Sequence, residues 1–395
     1  MKNSSRTLTV LLQPRDPLIA RDARPFDPTP GARATTLNWP WPQTIAGALR
    51  THIGRAIGLD WGCHEDLIRI HRTAIQGPLL ATRRRSDAST GGWQVYFPAP
   101  ADAVVVCRTP NAPIGEREYE VTRLVPEELA EGEGTDLPWP DDLQVLSVSS
   151  SAKPDHSLAF WSAADMQRWL LGEQPARPPD DWLGPLPQES RMHVAVSAAT
   201  GTAREGALFT TTGLRFPDSS SVGAYPECAM LARIDGTPDG WEFRPDLIPL
   251  GGERRLSALE PAPDELWPTA PPPPSGPIER LRLVLVTPGI FERGWLPGWL
   301  DKSLTGEPPS APGLRLKLVS AAVGRRLAIS GWRMRSGRDG QRPTRYAAPP
   351  GSVYFFEILN GPLTASQWES LWLAPIADHG ADRDNSYGLA LPGRW

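Results

Sequence analysis

The side chains best equipped for chemistry in this chain are arginines set beside glycines. Gly251-Gly252-Glu253-Arg254-Arg255 joins a flexible backbone pair to two guanidinium groups, and Gly324-Arg325-Arg326 repeats the arrangement. Gly47 lies three residues before Arg50, and "RDARPF" supplies Arg21 and Arg24. Glycine lets a phosphate or another main chain approach closely, and the planar guanidinium suits bidentate phosphate contacts and base stacking. Two readings stay open at each place. The arginines bind an anion such as a nucleic-acid backbone, or they are solvated residues of ordinary turns. At residues 251–255, Glu253 could instead pair with one arginine and brace the fold, and Gly47 could simply permit tight packing on a sheet.

Acid–base and metal chemistry find less support. The histidines are His52, His64, His71, His156, His193 and His379, with no HExxH spacing and no GxSxG elbow. Cys63, His64 and His71 are neighbours, but a tetrahedral zinc site needs a fourth ligand that the local sequence does not offer. "VGRRLAISG" lacks the GxxxxGK[ST] pattern of a P-loop. No catalytic residue, metal or cofactor is expected. The three cysteines have no CxxC spacing and read as reduced thiols.

Net charge is −4, but its distribution matters more. Residues 278–346 hold thirteen Lys or Arg against five Asp or Glu, a surplus of eight, which leaves −12 for the rest. Within that basic region, "GWRMRSGRDGQRPTRY" places Arg333, Arg335, Arg338, Arg342 and Arg345 between Trp332 and Tyr346. Arginine interleaved with aromatic residues is a pattern that holds single-stranded nucleic acid. The acidity concentrates in residues 116–142, which read as a solvated or partly disordered insertion. No apolar run approaches the length of a membrane span, and the N-terminal run is too short for a signal-peptide core. A cytoplasmic protein with no membrane partner is expected.

These residues need elements to position them. With 395 residues the chain can hold two domains, and its 45 prolines and 36 glycines predict short strands and long loops. "PAPDELWPTAPPPPSGP" is the strongest boundary. After it, "RLRLVLVT", a helix in "FERGWLPGWLDKSL", "GLRLKLVSAAVG", "GSVYFFEIL", a helix capped by Thr364 and "YGLALPGRW" predict the order β-α-β-β-α-β. That is the split ferredoxin-like motif. The N-terminal part begins alike: the strand "TLTVLLQ" precedes a helix with Ile45, Leu49, Ile53 and Ile57 on one stripe and Arg50 facing elsewhere. Its further strands are sought in "MHVAVSA", "GALFTTTGLRF" and "CAMLARI". The expected fold is therefore α+β, with tandem ferredoxin-like, RRM-like domains and long insertions in the first. Residues 1–270 form that first domain, with the acidic insertion at about 108–190, followed by a linker at 271–277 and the second domain at 278–395.

Several stretches together resemble one family. They are "RDARPF", "WPWPQTIAGALR", "QGPLL", "YFPAPAD", "EGALF", "LGGERRLSAL", "AISGW", "GSVYFFEI" and "YGLALPGRW", in order over nearly the whole chain. The sequence is similar to the third subunit of the type III-B CRISPR effector, the Cmr complex, a RAMP-superfamily protein of the group that caps the 5′ end of the guide RNA. The resemblance implies tandem ferredoxin-like folds and binding of the repeat-derived 5′ tag of CRISPR RNA. It also implies docking against the large polymerase-like subunit and a neighbouring backbone RAMP subunit, indirect contact with target RNA, and no nuclease site. By this transfer the RNA-binding residues are Arg21, Arg24, Gly47, Arg50, Gly251, Gly252, Arg254, Arg255, Gly324, Arg325 and Arg326. Two other functions compete: a CRISPR RNA processing endoribonuclease using His52, His64 and His71, and a protein-only scaffold.

Overall fold

Leu8–Pro14 and Arg280–Leu285 are short runs of mostly buried residues, and each opens an antiparallel sheet. The computed structural model describes residues 7–24, 31–83, 92–113, 116–134, 143–148, 152–175, 182–218, 226–333 and 340–395. The fold is α+β, with many strands and few helices. The elements that matter below are, in chain order, β1 (Leu8–Pro14), α1 (Pro42–Ala56), α2 (His64–His71), β2 (Ala74–Arg83), β3 (Ala103–Cys107), β4 (Tyr119–Arg123), α3 (Ala163–Leu170), β5 (Gln188–Val196), β6 (Ala203–Leu214), β7 (Glu227–Asp235), β8 (Asp246–Pro249), β9 (Leu256–Pro261), β10 (Arg280–Leu285), β11 (Leu316–Ala322), β12 (Val353–Ile358), α4 (Ala365–Leu371) and β13 (Leu389–Arg394).

The chain forms two compact units. One comprises Met1–Gln94, Leu186–Trp267 and Ala328–Arg345, and the other Val95–Pro185, Pro268–Leu327 and Tyr346–Trp395. The change near Pro268 falls close to the proline-rich linker. Residues 95–185, expected within the first domain with the acidic insertion at about 108–190, cluster with the second unit.

In the first unit the strands run β8-β9-β1-β7-β2, every neighbouring pair antiparallel. Helix α1 packs on β2. Pro42 starts it, where proline's missing N–H is harmless, and Ile45, Leu49 and Ile53 are fully buried. Ile57, expected on the same stripe, is the residue that ends the helix. "CAMLARI" enters the sheet as β7, whereas the other two expected strands pair with each other as the hairpin β5–β6. The second strand of the sheet is β2, from "AIQGPLLATR", which alternation did not reveal because it is buried on both faces.

The second unit has a sheet with the core order β11-β12-β10-β13. Thr364 caps α4 as expected: its hydroxyl accepts from Gln367 N at 3.2 Å, and Gln367 Oε1 accepts from Thr364 N at 3.0 Å. The helix expected in residues 291–304 is corrected. That stretch is made of turns and isolated bridges. Gly294 has φ 80° and Pro297 follows, and the Asp378 carboxylate accepts from Glu292 N at 2.7 Å and Gly298 N at 2.8 Å. A side chain thus satisfies amides that a helix would have satisfied. The described part of the acidic stretch, residues 116–134, is also more structured than expected: β4 pairs with β3, and Val125–Glu127 pairs with Val145–Ser147.

A buried polar cluster organises this unit. Arg282 on β10 and Asp102, both fully buried, form an ion pair. Arg282 also donates to the Trp169 carbonyl, while Trp169 Nε1 donates to Asp102 Oδ1 at 2.9 Å. Arg123 lies over the Trp169 ring, its Cζ 3.7 Å from the centroid, and donates to the Trp169 and Glu173 carbonyls at 3.0 and 3.2 Å. Burial lowers the Arg123 pKa to about 9; nearby Arg282 adds to that shift and Asp102 opposes it. Removing one member of a buried pair strands the other charge, which costs about 3–5 kcal/mol. Asp102→Ala should therefore lower unfolding stability by that order in chemical denaturation, far more than Glu120→Ala at the exposed Arg108–Glu120 pair.

Candidate nucleic-acid interface

In the first unit the arginine–glycine turn is built against the segment that leaves β1. Arg15 N donates to Leu256 O at 2.9 Å, Leu18 and Leu214 exchange backbone hydrogen bonds at 2.8 Å, and Leu37 N donates to Ala20 O at 2.7 Å. Between these ties Gly252 N donates to Ile19 O at 2.7 Å. Gly251 has φ 72°, and a Cβ there would stand 2.7 Å from Ile19 O and 2.7 Å from Leu18 Cδ1. The glycine pair is explained by the chain's own backbone. It sets the turn.

The two arginines divide in role. Arg255 is largely buried: its Nη2 donates to Glu253 Oε2 at 2.9 Å, and its Nη1 lies 3.9 Å from Asp16 Oδ1. Arg254 is exposed in the left-handed region at φ 51°, next to Glu253 at φ 57°, and its side chain has no hydrogen bond or ion pair among the described residues. The clamped segment brings Arg21 and Arg24 to the surface close by in sequence. Arg21 bridges to Thr36 and its Nη2 donates to Arg24 O at 3.4 Å. Arg24 pairs with Asp22 at 3.4 Å with 81% of its side chain exposed.

On α1 the expectations reverse. Arg50, expected at the binding surface, is buried, and its Nε and Nη2 donate to Thr73 O at 3.1 and 3.0 Å. It secures the chain just past the C-terminus of α2, where carbonyls lack helical partners. Gly47 is exposed, with nothing within 4 Å of an added Cβ. Packing on the sheet does not require it. At the start of α1, Gln43 Nε2 donates to Ser330 O at 3.0 Å and Gln43 Oε1 accepts from Arg342 Nη1 at 3.5 Å.

In the second unit Gly324, Arg325 and Arg326 form an exposed turn after β11. A Cβ on Gly324 would meet Pro349 Cγ at 3.1 Å. The Arg326 guanidinium stacks over Tyr346, its Cζ 4.1 Å from the ring centroid, a contact that sequence separation concealed. Of the arginine-rich run, Arg335 and Arg338 lie outside the described residues.

The histidines do not gather. His64 and His71 sit at opposite ends of the eight-residue α2, about 10 Å apart along its axis, too far to serve one phosphate as acid and base. His52 on α1 is 3.4 Å from Asp246, yet its pKa is lowered, because burial outweighs the carboxylate. Among the described residues no group of three or more His, Cys, Asp or Glu could hold a metal, and no helix is long and apolar enough to cross a membrane.

Residues 10–395 match the model of the family described as CRISPR-associated protein (Cas_Cmr3). The chain belongs to that family. This is the third-subunit family of the type III-B effector that the sequence resembled. A search of curated proteins found no significant match. Solved structures similar to this Cmr3-family chain include a chain of type III-B Cmr-beta bound to cognate target RNA and AMPPnP, with 16% identity and a TM-score of 0.48 over 88% of this chain and 86% of that one. Another comes from Cmr-beta bound to cognate target RNA, with 16% identity and a TM-score of 0.46 over the same shares.

Gly251→Ala should destabilise the Cmr3-family chain by about 1–3 kcal/mol, the scale of a forced left-handed residue with a clash, seen as a lower denaturation midpoint. His52 gives a pH signature. Its folded pKa lies below the unfolded value, so the unfolded chain takes up the proton first as pH falls through about 6.5. Stability should decline from that pH downward, and His52→Gln should flatten the slope.

Proposed function

We propose that this chain is the non-catalytic RNA-binding subunit of a type III-B CRISPR ribonucleoprotein in antiviral defence. It holds the repeat-derived 5′ tag of CRISPR RNA and docks the large polymerase-like subunit beside the neighbouring backbone RAMP subunit, reaching target RNA only indirectly, in the cytoplasm. The observation that carries this reading is the family match over residues 10–395. The strand orders β9-β1-β7-β2 and β13-β10-β12-β11 support a tandem ferredoxin-like architecture, because each places its first and third strands in the centre.

RNA contact is assigned to Arg21, Arg24 and Arg254, to the open helix face at Gly47, and to Arg325 and Arg326. Gly251, Gly252 and Arg255 shape the turn that presents Arg254, Gly324 shapes the turn that presents its arginines, and Arg50 positions α1. Exposed apolar residues on the β5–β6 hairpin, with Met192 71% exposed beside Val194, Val196 and Leu208, support the protein-docking half of the role.

The test separates RNA contact from packing. Gly47→Ala should stabilise the chain by up to about 1 kcal/mol, the helix propensity difference, while Gly47→Leu should weaken guide RNA retention by the assembled complex through steric block. Arg254→Ala should weaken retention and reduce its logarithmic salt slope by about 0.7 for each lost phosphate contact. Guide retention and a salt slope unchanged in Gly47→Leu and Arg254→Ala would defeat the assignment.

A further inference from the structure

Several exposed arginines of this protein have carboxylate partners: Arg24 with Asp22, Arg108 with Glu120, Arg191 with Glu189 and Arg280 with Glu357. Arg325 and Arg326 are exposed, adjacent in sequence, and have no hydrogen bond or ion pair among the described residues. Two guanidinium groups without a counter-charge repel each other, and the local potential is relieved by an anion. Arg326 is not loosely solvated, because it lies 4.1 Å over the Tyr346 ring. Tyr346 is 46% exposed, and its hydroxyl has no hydrogen bond among the described residues. The partner implied is both anionic and flat.

We propose that Tyr346, Arg326 and Arg325 form a nucleotide subsite for single-stranded RNA. One base continues the Arg326–Tyr346 stack and Arg325 meets the adjoining phosphate. The inference rests on the RNA-binding reading above and gives Tyr346, which the sequence placed only at the end of the run 332–346, a defined partner in Arg326. The guanidinium is held over the ring before the ligand arrives, so less rotamer freedom is lost on binding. An acidic peptide would satisfy the charge but has no use for the planar surface. It would therefore tolerate Arg326→Lys, whereas a stacked base would not.

The experiment uses the assembled effector complex with its guide RNA, carrying Tyr346→p-benzoylphenylalanine in this chain and, separately, Arg254→p-benzoylphenylalanine. Irradiation at position 346 is expected to give an adduct destroyed by ribonuclease. In parallel, release of fluorescein-labelled guide should accelerate about fivefold or more in Tyr346→Ala and Arg326→Lys, as loss of one stacked base requires, and change little in Tyr346→Phe. A protein-only adduct at 346 overturns the subsite in favour of an acidic partner. RNA capture at 254 but not at 346 overturns the subsite and leaves the RNA-binding reading standing. Capture of RNA at neither position overturns both.

Discussion

The second unit depends on one buried charge pair. Arg282 extends from the first strand of its sheet and Asp102 from the segment that precedes β3, and both have lost all contact with water. Such a pair depends on its remaining donors and acceptors being met, and here all but Arg282 Nε, which has no partner among the described residues, are engaged. Trp169 does much of this, giving its indole N–H to Asp102 and its carbonyl to Arg282 and Arg123. Its ring also packs edge-on against Trp161, which stacks on Trp182. One network thus ties β3, β4 and α3 to the central sheet. Residues far apart in the chain become one folding unit through it.

Glycines complete that arrangement by absence of side chain. A Cβ on Gly393 would lie 2.9 Å from Arg282 Nε, and one on Gly351 would lie 2.4 Å from Ala99 O. The buried guanidinium therefore fits beside β13 only because position 393 is bare. Gly251 works in the same way against Ile19. The opposite case is Gly47, where nothing inside the chain occupies the vacant space. Glycines in the arginine motifs are thus of two kinds, and only the surroundings of each tell which.

The sequence is legible where the determinant is local. The stripe Ile45, Leu49, Ile53 and the Thr364 cap are settled by residues within one or two helical turns, and both are present. Strands β1, β7, β10, β11 and β12 follow from short apolar runs. Long-range determinants were not legible. Arg50 shares its helix with solvent-facing residues, yet its guanidinium is buried and donates to the Thr73 carbonyl, 23 residues away. The stretch at 291–304 has helical apolar spacing, but Asp378, about eighty residues away, binds its amides in a different conformation. The interleaving of the two units was hidden for the same reason, since Asp102 and Arg282 meet across 180 residues.

The candidate site shows how motif and geometry part company. "GGERRL" holds one arginine that braces and one that is presented. Glu253 distinguishes them: its carboxylate neutralises Arg255, and the left-handed backbone at 253 and 254 turns Arg254 outward. The Gly324 turn has no equivalent acid in its sequence, neither of its arginines has a carboxylate partner among the described residues, and Arg326 lies over the Tyr346 ring. A carboxylate partner would have to be displaced before a phosphate could bind, whereas a stacked phenol leaves the guanidinium's N–H edges open. The unpaired turn is therefore the better prepared of the two for an anionic ligand, although the paired turn carries the more conspicuous sequence.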